Sequence, residues 1–162
     1  MRPIRIVFAV LAALALPAAA AAQDACPARH VCASDPQTVV NALQAQGYKA
    51  KLGTDDLGDP AIESSASGYD YTVEFYGCKE GKACTSLRFV VRFEDDGTNT
   101  PELANGWNKT KRFAHMGALD NGQLLFAYDV TTVGGLNQDN FADVIDWWQF
   151  MLSEAREYFG AS

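Results

Sequence analysis

Residues 69–76 read YDYTVEFY, and residues 87–94 read LRFVVRFE. In both segments apolar and polar side chains alternate, which is typical of β-strands with one buried face. An antiparallel hairpin that places Cys78 opposite Cys84 brings the two apolar faces together in a single register, and this register predicts the core of the fold. The facing apolar pairs are then Tyr71 with Val91, Val73 with Phe89, and Phe75 with Leu87.

The other face of this hairpin carries charged side chains. In the same register Glu74 meets Arg88 and Asp70 meets Arg92. Opposite charges that face each other across a strand pair stabilise a sheet modestly. The sequence therefore predicts two cross-strand ion pairs, with the polar loop 79–83 closing the hairpin.

Four cysteines are present, namely Cys26, Cys32, Cys78 and Cys84. An even number in an exported chain indicates disulfides, and three pairings are possible. The hairpin register favours Cys78–Cys84, which leaves Cys26–Cys32. Five residues separate the members of each pair, whereas structural zinc sites commonly use about two to four. Because neither pair is a C-x-x-C motif, we expect structural disulfides and neither a metal nor another cofactor.

The N-terminus has the three zones of a secretory signal peptide over residues 1–22. Arg2 and Arg5 precede the apolar run 6–16, and a string of alanines ends at Ala22. The run is too short to cross a bilayer, so we expect cleavage, no stable membrane anchor and a periplasmic or secreted product. Cleavage leaves 140 residues and moves the net charge from −7 to −9. Such an acidic domain disfavours nucleic-acid partners.

The remaining pattern predicts an α+β fold. We divide the chain into the signal peptide 1–22, a short disulfide-ringed segment 23–34 and one domain 35–160. The expected elements are a helix that Asp35 caps and Gly47 ends, strands at 48–52 and 61–65, the hairpin 69–94, a helix that begins at Thr100-Pro101, a hairpin of 113–119 with 124–130, and a long helix from Asn137 to about Tyr158.

The second hairpin contains Asn121-Gly122, a strong signal for a two-residue turn. That turn pairs Leu119 with Leu124, and it places His115 beside Tyr128 as a packed histidine. The strand residues that it directs to the core are Phe113, His115, Gly117 and Leu119.

The long helix has an apolar stripe at helical spacing. Trp147 lies on the edge of this stripe, and Phe150 lies on the far side among acidic residues. Phe150 is either a lone exposed side chain or part of a contact surface, and the sequence leaves both interpretations open. The stripe consists of Phe141, Val144, Ile145, Trp148, Leu152, Ala155 and Phe159.

Several short motifs resemble the YbjN domain family of bacterial sensory transduction regulators. They include FYGC at 75–78, CTSL at 84–87 and the segment WNKTKRF at 107–113. The resemblance covers nearly the whole mature chain and implies a fold similar to type III secretion chaperones, which bind extended segments of other proteins and catalyse nothing. The motif residues that it singles out are Trp107, Asn108, Lys111, Arg112 and Phe113.

These observations favour an exported, non-enzymatic protein-binding, chaperone-like or regulatory domain. We expect Trp147 and Phe150 to form the partner surface, with an unidentified protein or a second copy as partner. We also expect Trp107 to be packed and Asn108 to bond nearby backbone. The alternative is an envelope protein that binds a small ligand or glycan through aromatic side chains. A carboxylate-based hydrolase is less favoured, because its candidates are adjacent acids in loops: Asp55 with Asp56, and Asp95 with Asp96.

Overall fold

The computed structural model describes residues 25–160, and the predicted signal peptide lies outside these residues. Within them the chain forms three helices and eight strands; six of the strands follow the predicted α+β order, and the other two are additional strands of two residues each. The elements are β1 (His30–Val31), α1 (Pro36–Ala45), β2 (Lys51–Thr54), β3 (Pro60–Ala66), β4 (Tyr69–Tyr76), β5 (Ser86–Phe93), α2 (Pro101–Thr110), β6 (His115–Ala118), β7 (Leu124–Thr131), β8 (Leu136–Asn137) and α3 (Gln138–Gly160).

A six-stranded antiparallel sheet with the strand order β2-β3-β4-β5-β7-β6 forms the centre of the fold, and β1 pairs with β8 in a separate two-stranded sheet. The helices pack against one face of the six-stranded sheet. Trp148 of α3 lies at the centre of the core, and its ring packs against Tyr71, Phe89 and Phe126 from three neighbouring strands. Trp107 anchors α2 against Phe126 in the same core. The sheet therefore has a covered face and an open face.

The predicted register of the first hairpin is confirmed, because Val73 pairs with Phe89 and Phe75 with Leu87. Glu74 faces Arg88 across the strands, as predicted, but the ion pairs join other partners than the predicted ones. Arg92 reaches diagonally to Glu74 at 2.7 Å. Arg88 turns the other way and binds Asp129 of β7 through two nitrogens, at 2.7 and 3.1 Å. β5 lies between β4 and β7, so Arg88 has an acid on both sides, and the bidentate pair with Asp129 is the stronger geometry.

The predicted register of the second hairpin is wrong by one residue. Met116 pairs with Phe126 and Ala118 with Leu124. The connection is a three-residue loop at 120–122, in which the Gly122 amide donates to the Leu119 carbonyl at 3.0 Å. Gly122 has a φ of +83°, which fits the left-handed position that ends such a loop.

A slip of one residue moves every side chain of β6 to the other face. Phe113 is consequently 42% exposed, and His115 lies opposite Ala127 on the open face instead of beside Tyr128. The prediction that Phe113, His115, Gly117 and Leu119 face the core is thus corrected. The side chains that fill the core in their place are Ala114 and Met116.

The N-terminal segment is tied to the sheet. The structure joins Cys26 to Cys32 and Cys78 to Cys84. The buried Thr132 hydroxyl accepts a hydrogen bond from the Ala33 amide at 2.9 Å and donates to a carbonyl of the loop that carries Cys84.

The start of α1 differs from its prediction. Asp35 occupies the capping position, but its side chain makes no capping hydrogen bond. The Thr38 hydroxyl organises this turn instead, since it donates to the Asp35 carbonyl at 2.6 Å and accepts from the Cys32 amide at 3.0 Å. Thr38 therefore connects the start of the helix to the first disulfide ring.

The apolar stripe of α3 forms the largest helical part of the core. Asn137 caps the helix by accepting from the Asn140 amide at 2.8 Å, as predicted. Met151 is also buried, although it was not among the predicted stripe residues. Val144 and Phe159 lie at the margins of the stripe and are half-buried.

Candidate binding surface

The end of α2 is fixed to β6 by two side chains of the WNKTKRF segment. The indole Nε1 of the fully buried Trp107 donates to the Ala114 carbonyl at 2.9 Å. The Asn108 amide donates to the Met116 carbonyl and accepts from the Met116 amide, both at 2.9 Å. Trp107 is therefore packed and Asn108 bonds the backbone, as expected from the sequence. Together they position the segment 111–113 that lies between them and the strand.

The segment 111–113 runs from Trp107 and Asn108 toward α3. The Lys111 ammonium group forms an ion pair with Glu154 of α3. Phe113 has a φ of +67°, and the Ala114 amide closes a tight turn around it by donating to the Arg112 carbonyl at 2.9 Å. This reversal allows Ala114 to enter the core while the Phe113 ring stays at the surface.

Three aromatic rings meet where this turn reaches α3. The Phe113 ring lies 4.6 Å from the Trp147 ring between centroids, and Trp147 meets Phe150 edge to face at 5.7 Å and 90°. Phe150 is 53% exposed. We call Phe113, Trp147 and Phe150 the aromatic surface. It unites the partner residues predicted on α3 with the motif residue Phe113, which the sequence placed in the core.

Charged side chains border the aromatic surface on both sides. Asp143 and Asp146 line a depression together with Trp147 and Phe150. On the other side of Phe150, a second depression is lined by the Lys111–Glu154 pair and Arg112. The Arg112 guanidinium lies over the Phe113 ring, 4.9 Å from its centroid.

The two aspartates affect nearby phenols. Burial raises the pKa of Tyr128, and the negative charge of Asp143 raises it further. The pKa of Tyr48 is likewise raised, first by burial and then by Asp146. Each carboxylate therefore lies close enough to a neighbouring phenol to act on it electrostatically.

The other candidate aromatic side chains are dispersed. Trp107 is fully buried and cannot contact a ligand. Tyr76 lies on the open face of the sheet, where its hydroxyl donates to Glu74 at 2.8 Å and Arg88 lies over its ring. It is thus separate from Trp147, which lies on the helical side.

The candidate catalytic groups do not assemble into a site. His30 bonds the Ala28 carbonyl within its own turn, at 3.0 Å, and His115 lies on the open face of the sheet. Hydrogen bonds from the Thr98 hydroxyl and amide hold the pKa of Asp96 below its usual range. Between residues 25 and 160, no group of three or more potential metal ligands is found.

Sequence reasoning missed Phe113 as a neighbour of Trp147, and it missed the contact between Phe113 and Tyr128. The Phe113 and Tyr128 rings lie 6.0 Å apart. The loop length could have predicted that Phe113 lies outside the core, because a three-residue loop with glycine in third position gives the observed register. Nothing in the periodicity alone distinguishes that loop from a two-residue turn.

The fold and its surface define a small α+β domain with helices on one side of an antiparallel sheet and exposed rings on the terminal helix. The family model of YbjN, described as "Putative bacterial sensory transduction regulator", matches residues 35–161. The chain therefore belongs to the YbjN family. Nothing matched in a comparison with curated proteins.

A solved structure has a similar fold. It is the crystal structure of YbjN from E. coli, described as "a putative transcription regulator". The match has a TM-score of 0.54 and 13% sequence identity, and it covers 80% of this chain and 96% of that chain. At this identity the likeness establishes the fold alone. Of the helices within residues 25–160, none has the length and apolarity needed to cross a membrane.

Proposed function

We propose that this protein is an exported, non-enzymatic binding domain that recognises another protein through the aromatic surface. The observation that carries the proposal is the convergence of Phe113, from the family segment, with Trp147 and Phe150 of α3. Side chains that are far apart in the sequence form one exposed apolar contact area. Within the family of regulators, such a surface suits a chaperone-like or regulatory contact.

The composition and support of the surface favour protein recognition. Aromatic side chains and arginine are the residue types most enriched at energetic hot spots of protein interfaces. Phe113 is held by the turn at Ala114, and Trp147 is held against Phe113, so the rings are ordered before a partner arrives. Ordering in advance lowers the entropic cost of association. A second copy of the chain is the other partner that this surface could accept.

Capture of partners from cells tests the proposal. Wild type is compared with Phe150→Ala, which removes the exposed ring and adds no charge, after cross-linking and size measurement by light scattering. Leu57→Ala is the matched control, because Leu57 is 89% exposed and lies in the turn between β2 and β3. We expect a partner or dimer that the wild type and Leu57→Ala retain and Phe150→Ala loses. Equal capture by all three proteins would contradict the proposal.

Export is a separate part of the proposal. Its support is the pattern of residues 1–22 and the two disulfide pairs, which persist in oxidising compartments. The intact mass of the protein recovered from the periplasm or the medium tests it. We expect a chain that begins at Gln23 and contains two disulfides; an uncleaved, reduced chain confined to the cytoplasm would refute export.

A second candidate function is small-ligand binding at a groove between the two disulfides. The groove includes Pro27, Cys84 and Val133 in its lining and has a volume of about 230 Å³. Ligand pockets commonly have volumes of roughly 300–1,000 Å³. The groove would thus hold only a small apolar group, and a saturable thermal shift with such a compound, lost in Val133→Trp, would favour this function.

A further inference from the structure

The depression beside the aromatic surface has a distinctive combination of groups. Asp143, Asp146, Trp147 and Phe150 line it, and their spacing of three, one and three residues places them on one side of α3. The Trp147 and Phe150 rings are perpendicular. The depression is therefore bordered by two aromatic rings in different orientations and by two carboxylates.

These carboxylates have no cationic partner within residues 25–160. Salt bridges in this part of the chain join Lys51 to Glu63, Arg88 to Asp129, Arg92 to Glu74, and Lys111 to Glu154. Glu154, on the other side of Phe150, is thus neutralised by Lys111, whereas Asp143 and Asp146 are not. The depression is the negatively charged side of the aromatic surface.

A cation that is attached to an apolar stem suits these groups. An ammonium or guanidinium group is attracted to the face of an aromatic ring, more strongly where water is partly excluded, and it pairs with carboxylates. The protein already shows this chemistry at the adjoining ring, where the guanidinium of Arg112 covers Phe113. A lysine or arginine from a partner could occupy the depression in the same way, with its alkyl stem against Phe150.

We propose that the partner of the aromatic surface is a basic segment of another protein, whose arginine or lysine side chain enters the depression between Trp147 and the two aspartates. This inference rests on the proposed function, since it specifies the partner's chemistry at the same surface. Charge complementarity distinguishes this partner from a second copy of the chain. With a net charge of −7, two copies repel each other at long range, whereas a basic segment is attracted.

Titration with defined peptides tests the inference. The probe is a ten-residue peptide of alternating arginine and leucine, and its matched control has glutamine in place of arginine. Binding is followed by the change in tryptophan emission, because Trp147 lines the depression; the fully buried Trp107 and Trp148 contribute a background signal. We expect the arginine peptide to bind at least about tenfold more tightly than the glutamine peptide, with a preference that decreases as salt is added.

The double variant Asp143→Asn with Asp146→Asn removes both charges and keeps the side-chain shapes. We expect it to weaken binding of the arginine peptide about fivefold to tenfold, because each exposed ion pair contributes about threefold. Binding of the glutamine peptide should be unchanged. Glu157→Gln is the control for loss of one negative charge elsewhere on α3, because Glu157 lies three turns beyond Asp146, roughly 16 Å away along the axis. It should leave both peptides unaffected. Equal binding of the arginine peptide by wild type and the double variant would overturn the inference.

Failure of this inference can be distinguished from failure of the proposed function. If Phe150→Ala loses the cellular partner while the double aspartate variant retains it, the surface binds protein but its partner is not a basic segment. If neither variant loses a partner and neither peptide binds, both proposals fail. If both variants lose the partner and the arginine peptide, both are supported.

Discussion

Asn108 acts as a substitute for a neighbouring strand. β6 is an edge strand of the sheet, since its pairing partner is β7 alone. On its outer side, the Asn108 amide satisfies both backbone groups of Met116. This contact covers part of an exposed sheet edge, and it fixes the turn that presents Phe113. The hydrogen bonds of Asn108 thus support the turn that carries one ring of the proposed binding surface.

Replacing Asn108 by alanine should destabilise the protein. The change leaves the Met116 amide and carbonyl without their partner, and an unmade hydrogen bond at a buried backbone group costs about 1–3 kcal/mol. The measurement is the free energy of unfolding from urea titration, with Asn105→Ala as control, because Asn105 is exposed on the same helix. If the free energy of unfolding falls no more than it does for the control, Asn108 does not stabilise the fold.

Tyr71 should make stability depend on alkaline pH. Burial raises its pKa from about 10 to about 12, against the opposing effect of the Ser64 hydroxyl. Below pH 10 both states keep the phenol proton; between about pH 10 and 12 the unfolded state loses it and the folded state keeps it. The free energy of unfolding therefore falls across this range, by up to roughly 2–3 kcal/mol from this group.

Tyr71→Phe removes that titration. Urea unfolding at several pH values from 8 to 11 should show a smaller alkaline loss of stability for the variant than for wild type. Parallel curves for the two proteins would mean that the phenol of Tyr71 ionises equally easily in both states.

At the scale of elements, the two hairpins show what a sequence can and cannot specify. The register of β4 and β5 was predictable, because apolar alternation and the position of Cys78 and Cys84 independently favour it. The register of β6 and β7 was not, because β6 lacks a strong apolar alternation: one face carries His115 and Gly117, and the other carries Met116 and Ala118. Turn geometry then determined the register, and Asn-Gly is compatible with both a two-residue and a three-residue loop.

Gly122 should be essential for that loop. Its φ of +83° disfavours other residues, and an added Cβ would also collide with the Asp95 carboxylate. Gly97→Ala is the matched control, because Gly97 has a φ of +80° and open space around it. We expect Gly97→Ala to cost about 1–2 kcal/mol, since an L-residue is strained in the left-handed region, and Gly122→Ala to cost clearly more in the same thermal or urea unfolding assay. Equal losses would show that the contact with Asp95 relaxes freely.

The candidate site was likewise only partly predictable from the sequence. The exposure of Phe150 follows from helical periodicity alone, because it lies opposite the buried stripe of α3. The approach of Phe113 could not be predicted, because it depends on the register of β6 and on the reversal at Ala114, which are tertiary features. Periodicity located two of the three rings, Trp147 and Phe150, and loop geometry determined the position of the third, Phe113.

At the scale of the molecule, the helices within residues 25–160 form a single layer on one face of the six-stranded sheet. The open face carries the charged ladder of Glu74, Arg88, Arg92 and Asp129, whose members neutralise one another. The helical side presents the exposed rings with unpaired aspartates. This asymmetry of charge and apolar area favours the helical side as the place where a partner binds.

Site-specific photo-cross-linking tests most directly whether a partner protein contacts the aromatic surface. A photoreactive phenylalanine analogue is placed at position 150 in one protein and at position 57 in another, the cells are irradiated, and adducts are identified by mass spectrometry. Both positions are exposed, so both variants should fold and react with solvent equally. We expect a defined protein adduct from position 150 and none from position 57. Adducts from neither position, or the same adducts from both, would contradict it.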